Sequence, residues 1–444
     1  VFQEVRAKIL LAAPTGRAAK RMSELSQTGA ATVHRMLSAQ ADAAGQTVFT
    51  KNQDNPLIAD AIILDETSMV DLELMSALLK AMRPACRLIM IGDADQLPSV
   101  GAGRLLSDVI RSGTVPCVRL TEVFRQAEDS GIITAAHGVC RGEPPAKRAG
   151  EDLFFLSRPD GEAAAQTVTE LCAKRLPLKM GIPADQIQVI TPTRKGPCGS
   201  VHLNMLLREA LNPPAKGKTE MRLGETVFRV GDRVMQSRNN YDLVWKSEGA
   251  IPAGMGVFNG DIGVISEIDP FSGIMTVDFE DHLVEYTPDD LADLEPAWAI
   301  TVHKAQGSEF RAVVFAVCQV PKPLEIRSLF YTGLTRAKEL LVLVGDEMTA
   351  ARMCANDKQK NRYSGLRARL ALENNVIVFQ IALDMARADA DIALILVVKT
   401  LFDGGVDLFL KLSAVGQSQL HGGHGFHGAV HCDGGFGIVE NDEL

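Results

Sequence analysis

Aromatic residues make up only 5% of this 444-residue chain, too few to indicate recognition built on extensive ring stacking. None of its eight cysteines forms a Cys-x-x-Cys pair. They read as free thiols in a reducing cytoplasm, not as a disulfide framework or a zinc site. No apolar run reaches the roughly 18 residues that span a bilayer, so no membrane association is expected. The opening Val1-Phe2-Gln3-Glu4-Val5-Arg6 does not read as a signal peptide and lacks an initiator Met, so the chain is expected to begin inside a longer reading frame. A basic excess is also missing, since the net charge is −9. Ten acidic and three basic residues lie from Glu373 onward, out of totals of 55 and 46, so the rest of the chain is almost neutral. Phosphate contacts are local, and a near-neutral body can still carry a basic groove. Finally, the string Gly-x-x-x-x-Gly-Lys-Ser/Thr occurs nowhere.

What is present is ordinary in bulk and specific in detail. Apolar residues at 46% and charged residues at 23% suit globular protein, and the length allows about two to four domains. Lys8 to Ala13, Asp60 to Leu64 and Arg87 to Ile91 read as buried strands. Gly16 to Glu24 and Asp71 to Met82 read as helices, the second with Leu72, Met75, Leu78 and Leu79 on one face. Uninterrupted apolar strands alternating with helices imply a parallel sheet covered on both faces. A second unit of this kind starts near Gly131 and has strands at Gln186 to Ile190, Ala312 to Val317 and Leu340 to Val344. From Phe228 to Tyr286 the texture changes to short strands broken by Asn259-Gly260-Asp261 and Asp269-Pro270, an all-β insertion. From Glu373 the chain changes again. An apolar block around Ile392 to Val398 is expected to form a loosely packed helix. The following His421, His424, His427 and Cys432 have spacing compatible with a metal, but the segment reads as foreign to the fold.

The chemistry gathers where strands end, the edge at which parallel sheets bind ligands. Asp65 and Glu66 follow one apolar run. Nucleotide hydrolysis needs one carboxylate to hold Mg²⁺, the role for Asp65, and one group to position water, the role for Glu66. Gly92-Asp93-Ala94-Asp95-Gln96 repeats the pattern one strand over, with Gln96 as a neutral sensor of a terminal phosphate. Arg125 and Arg336 are arginine-finger candidates, because the guanidinium fork matches phosphate oxygens and stays charged. Pro14, Thr15 and Arg17, Thr32 and His34, Thr193 and Arg194, and Thr301, His303 and Lys304 place hydroxyl and basic groups at loop-to-helix turns. Such groups suit a single-strand backbone. Solvated turn carboxylates, surface arginines and helix caps are the ordinary fate of each residue alone; the joint pattern points to a nucleoside-triphosphate-driven motor on nucleic acid.

In this order, the motifs resemble superfamily 1 DNA helicases of the RecD-like branch, over about Lys8 to Leu372. Leu11 to Met22 resembles that family's single-strand-binding motif, and Asp65-Glu66-Thr67-Ser68-Met69 its Walker B motif. Gly92 to Gly101 is similar to its third motif, and Leu120 to Gln126 to the stretch carrying the first finger, Arg125. Val302 to Phe310 resembles the fifth motif, with Gly307 and Glu309 near nucleotide. Tyr331 to Lys338 resembles the sixth, with Arg336. The β insertion resembles an SH3-like domain, and its Arg229, Arg233, Arg238 and Lys246 are expected to contact DNA phosphates. The resemblance implies two RecA-like parallel-sheet domains binding ATP with Mg²⁺ and stepping 5'-to-3' on single-stranded DNA, or on duplex with a single-stranded end, alongside recombination or repair proteins. The implied domains are 1–130, then 131–222 with 294–372, interrupted by the insertion at 223–293, and an atypical tail at 373–444. A Walker loop is expected upstream of residue 1, so the chain by itself is expected to be catalytically deficient. Two alternatives stand beside this: the helicase part of a conjugative relaxase, and a non-motor single-strand-binding remnant.

Overall fold

A computed structural model describes residues 7–41, 47–120, 130–224, 226–247, 253–279, 282–357 and 364–372, with strand segments at 395–399, 431–432 and 435–436. Two compact units emerge, one made of Val1–Val123 and Lys360–Leu444, the other of Phe124–Gln359.

The first unit begins with β1 (Ile9–Ala13), β2 (Ala30–Thr32), the hairpin strands β3 (Ala39–Ala41) and β4 (Thr47–Phe49), β5 (Ala61–Leu64), β6 (Arg87–Gly92) and β7 (Cys117–Leu120). Its main sheet runs β2-β1-β5-β6, then a strand from far down the chain, Ile395–Lys399, then β7, with every pairing parallel. Because a parallel sheet is covered on both faces, successive residues of one strand enter different cores. Ile62, Leu64, Leu88 and Met90 pack with Leu78 and Leu106. Ile63 and Ile89 pack with Leu11 and Met22 on the other side. Each such side chain contributes about 1.5–3 kcal/mol when fully buried. The helix Leu72–Ala81 starts on Asp71, whose carboxylate accepts the Leu74 N–H at 2.8 Å. It buries Leu74, Met75, Leu78 and Ala81. Leu72 and Leu79 are only half-buried against this core, so the apolar face is rotated from the expected one.

Two expectations about the end of the chain are corrected. The helix Leu366–Leu372 lies in the first unit, not the second. Leu370 is 4% exposed in the first core, and the Ser364 hydroxyl donates to Asp108 at 3.1 Å. The apolar block near Ile392 supplies a strand rather than a loose helix. Ile395 to Val398 pair with Ile89 to Gly92, and Leu396 to Lys399 with Cys117 to Leu120. The Ile-Leu-Val-Val run has the β-branched composition that strands favour. His421, His424 and His427 lie outside the described residues, whereas Cys432 ends a two-residue strand paired with Gly435–Phe436.

The second unit contributes β8 (Arg148–Ala149), β9 (Leu153–Ser157) and β10 (Ile187–Thr191). A β-rich stretch follows with β11 (Glu220–Leu223), β12 (Thr226–Arg229), β13 (Arg233–Gln236), β14 (Asn240–Lys246), β15 (Ala253–Val257), β16 (Ile262–Ile268), β17 (Met275–Asp278), β18 (Leu283–Tyr286) and β19 (Leu294–Pro296). The αβ pattern then resumes with β20 (Ala299–Thr301), β21 (Phe310–Val317) and β22 (Ala337–Gly345). Its main sheet has the order β20-β10-β21-β22-β9-β8 and is parallel except for the β8–β9 edge. The insertion forms a seven-stranded antiparallel sheet, β15-β14-β18-β17-β16-β13-β19, around Phe228, Ile265, Val277, Val284 and Tyr286.

Candidate functional site: two carboxyl edges

In the first unit the strand ends meet as the sequence implies. Ala12 pairs with Leu64 and Leu64 with Met90, so Pro14–Thr15, Asp65–Glu66 and Gly92–Asp93 lie along one edge. The Asp65 N–H still donates to the Ala12 carbonyl at 2.9 Å. Beyond it the chain turns sharply. Glu66 adopts φ +50° and ψ +39°, the left-handed region, and caps a 3-10 turn over Thr67–Met69. Its N–H donates to the Asp65 carboxylate at 2.8 Å.

Gly92 ends the next strand close to that turn. A Cβ there would sit 3.1 Å from the Thr67 nitrogen and 3.2 Å from that of Ser68. Glycine thus permits the close approach of β6 to the Glu66 turn. Asp93 is 5% exposed and accepts hydrogen bonds from the Asp95 N–H at 2.9 Å and the Gln96 side-chain amide at 3.3 Å. The loop continues across the start of the Leu72–Ala81 helix, where a Cβ on Gly101 would fall 2.0 Å from an Asp71 carboxylate oxygen. Two carboxylates, a buried aspartate and a tethered glutamine thus share one sheet edge. That donor set fits a magnesium-bound triphosphate: Asp65 would hold the metal, Glu66 a water and Gln96 a terminal phosphate oxygen.

The neighbouring polar residues have structural duties. Thr15 accepts the Ala18 N–H at 3.2 Å as cap of the helix Gly16–Ser26. Thr32 accepts the Arg35 N–H at 3.1 Å as cap of Val33–Met36. Pro14, Arg17 and His34 are half-buried. Burial lowers the His34 pKa against an opposing pull from Asp71, and its ring lies 6.0 Å from that of Phe49. Arg125 lies outside the described residues.

The second unit carries its own edge. Thr191 pairs with Thr301, and the Val302 N–H donates to the Thr191 carbonyl at 3.0 Å. This brings the loop of Thr193 and Arg194 beside Thr301, His303 and Lys304. Arg194, Lys195 and His303 are exposed. The Thr193 hydroxyl caps its own loop through the Lys195 N–H at 3.3 Å. Lys304 is bound to Glu295 at 2.6 Å, and Glu309 to Lys338 at 3.6 Å. Gly307 holds φ +71° in the turn between them. Arg336 is 4% exposed. Its guanidinium donates to the carbonyls of Thr332 and Ser308 at 3.0 and 3.2 Å and to the Thr335 hydroxyl at 3.1 Å. As placed, the second finger candidate is turned inward.

The β insertion separates its cations into two kinds. Arg229, Arg233, Arg238 and Lys246 all read as phosphate contacts from sequence. Arg229 is 4% exposed and bound to Glu220 at 2.6 Å, and Arg233 donates to the carbonyls of Asp185 and Ile187 at 3.2 and 3.1 Å. Both are anchors, which corrects the reading for these two. Arg238 and Lys246 have side chains 82% and 72% exposed. Sequence reasoning also missed Asn212. It donates to Asp232 at 2.8 Å and to the Val230 carbonyl at 3.2 Å, joining the helix Ser200–Leu211 to the insertion. Burial raises the Asp232 pKa, and that bond opposes the rise. Gly217-Lys218-Thr219 superficially matches the end of a phosphate loop. However, Asn212 stands where the first glycine would be, Lys218 donates to Asn212, and a strand follows instead of a helix.

Comparison with known proteins agrees with this architecture. Three family models match: an AAA domain over residues 1–102, the ATP-dependent RecD-like DNA helicase SH3 domain over 203–279, and the UvrD-like helicase C-terminal domain over 296–344. The ATP-dependent RecD2 DNA helicase of Deinococcus radiodurans is 36% identical over 360 residues, covering 81% of this chain and 46% of that protein. The RecBCD enzyme subunit RecD of Mycobacterium tuberculosis is 31% identical over 403 residues, covering 83% of this chain and 65% of that protein. The chain therefore spans about half the length of the first relative and under two thirds of the second. A solved Pif1 helicase from Bacteroides in complex with ADP-AlF3 and ssDNA aligns with 83% of this chain and 88% of that one, at 18% identity and a TM-score of 0.45. With the SH3 model falling on the antiparallel insertion and the helicase C-terminal model on the strands around Thr301 and Arg336, the chain belongs to the RecD-like helicase family.

Proposed function

We propose that this chain is the motor part of an ATP-dependent DNA helicase that translocates 5'-to-3' on single-stranded DNA, in recombination or repair. One observation carries the reading: Asp65–Glu66 and Gly92–Asp93–Gln96 end adjacent parallel strands on one edge. Magnesium, when bound with ATP, supplies charge neutralisation of the phosphates. Asp65 holds that metal, Glu66 orients the attacking water, and Gln96 reports the terminal phosphate through its amide. Arg336 acts as the second finger after its guanidinium exchanges its local oxygens for phosphate, and Arg125 acts as the first. Arg194, Thr193, Thr301, His303 and Lys304 face the DNA backbone, with Arg17 and His34 doing so on the first unit. The exposed Arg238 and Lys246 support DNA contact by the insertion.

The triphosphate-neutralising lysine and amides belong in this proposal to a Gly-x-x-x-x-Gly-Lys-Ser/Thr segment outside the 444 residues. The chain alone therefore hydrolyses ATP orders of magnitude more slowly than a fusion carrying that segment, since each lost electrostatic contact costs about 10²–10³ in rate. The test measures DNA-stimulated hydrolysis of the fusion with and without Glu66→Gln. Loss of turnover with nucleotide binding retained is expected. Hydrolysis by Glu66→Gln at near the parent rate would overturn the assignment.

A further inference from the structure

Glu66 occupies a conformation that L-residues avoid, because its Cβ crowds the backbone carbonyl. A backbone of that kind persists only where its surroundings over-determine it. The clamps around Glu66 can be named. Its N–H is held by the Asp65 carboxylate at 2.8 Å. Its carbonyl accepts the Met69 N–H at 3.0 Å. The Thr67 side chain, wholly buried, donates its hydroxyl hydrogen to the Leu64 carbonyl at 3.0 Å and so ties the turn to the last residue of β5. Gly92 lies close against the Thr67 and Ser68 nitrogens from the neighbouring strand. The turn even leaves the Ser68 hydroxyl, 8% exposed, without a hydrogen-bond partner among the described residues. A segment free to relax would not keep both a left-handed glutamate and an orphaned hydroxyl.

We infer that Thr67 is a positioning residue for the Glu66 carboxylate: its hydroxyl bond to the Leu64 carbonyl holds residue 66 in the left-handed turn. The proposal rests on the hydrolytic role assigned to Glu66, but its physical core can be tested without turnover. In an extended continuation of β5, adjacent carboxylates at 65 and 66 would project to opposite faces of the sheet. The clamped turn sets a different relation between them, while the Asp65 carboxylate stays over the Glu66 N–H. Thr67 touches neither metal nor phosphate in this scheme and acts only through residue 66.

A double-mutant cycle on the full 444-residue chain provides the test, with thermal unfolding as the readout. Thr67→Val keeps the shape and removes the hydroxyl; it should lower the melting temperature of the first unit by roughly 2–4 °C. Thr67→Ser, which keeps the donor, should recover most of that loss. Glu66→Gly removes the steric penalty at residue 66, so Thr67→Val made in that background should cost less than half as much. Equal losses in both backgrounds would overturn the inference. Where the phosphate-loop fusion hydrolyses ATP, Thr67→Val should lower kcat about tenfold with KM unchanged, and Thr67→Ser should restore kcat. A rise in KM with unchanged kcat would count against the positioning role. If the parent fusion shows no hydrolysis, the functional reading fails and the melting cycle alone decides whether Thr67 holds the turn.

Discussion

Replacing Arg229 by methionine separates anchoring from DNA contact. Arg229 is 4% exposed. It binds Glu220 at 2.6 Å, approaches Glu209 at 3.6 Å and donates to the Asn212 carbonyl, while its own N–H donates to Asp232 at 2.8 Å. Methionine keeps most of the stem packing. The two glutamates are 42% and 52% exposed, so they rehydrate cheaply once the guanidinium is gone. The Asn212 carbonyl loses its charged donor. Breaking a fully buried pair costs about 3–5 kcal/mol, and exposure of both carboxylates reduces that to about 2–3 kcal/mol. At about 2–4 °C per kcal/mol, the unfolding transition of the second unit should fall by about 4–12 °C. The second measurement is the salt dependence of single-strand binding below the transition. Arg229→Met should leave the slope of log K against log salt unchanged. The pair Arg238→Ala and Lys246→Ala should reduce it by about 0.7 per phosphate contact removed, with little change in melting. An Arg229→Met variant that melts like the parent and lowers the salt slope would refute the assignment of Arg229 as an anchor.

Other outcomes follow from particular bonds. Burial opposes charge on Asp346, but its bonds from the Thr349 hydroxyl and from the Met348 and Thr349 N–H groups prevail and hold its carboxyl below the usual range. That stabilisation is fully present above the unfolded pKa of about 3.9 and is lost as pH falls through the lower folded value. Asp346→Asn keeps a capping oxygen but not the charge, so the variant should melt below the parent near pH 7 and the two curves should converge as pH falls below about 4; equal melting at neutral pH would contradict this. Truncation after Leu372 removes Ile395–Lys399 and its pairings to β6 and β7. At about 0.5–1.5 kcal/mol net per hydrogen bond, the loss approaches the whole stability of a domain. The first unit should melt earlier and lose amide protection in Leu88 to Ile91, with the second unit unchanged; equal protection in the truncated chain would show that the strand is dispensable.

The strands around the site were legible because burial on both faces leaves an uninterrupted apolar run. Ile62 to Leu64 and Leu88 to Ile91 show this, and the acidic residues stand out where the runs stop. The carboxylates at 65 and 66 were legible for the same reason, but the left-handed turn at Glu66 was not. Nothing in Asp-Glu-Thr-Ser signals positive φ, which comes from the Thr67 bond and the close approach of Gly92. Charge was the poorest guide. Arg229 and Arg238 look alike in sequence, and only the Glu209, Glu220 and Asn212 partners of Arg229 distinguish them. The Ile395 block was misread because a short apolar run fits a buried strand or a buried helix segment equally well, and its partners Ile89 and Val118 lie hundreds of residues upstream.

That distance shapes how the molecule is made. The second unit is continuous in sequence, from Phe124 to Gln359, and all its sheet partners leave the ribosome before the chain ends. The first unit is interrupted: β6 and β7 are synthesised early, yet the strand between them pairs Ile395 with Ile89 and Val398 with Arg119. Until that strand emerges, β6 and β7 each present an unpaired edge, the kind of surface that recruits other chains. Long-range parallel pairing is also slow, because loop closure precedes the contacts that reward it. The inserted unit should therefore fold first during translation, and the unit carrying Asp65 and Glu66 should close last.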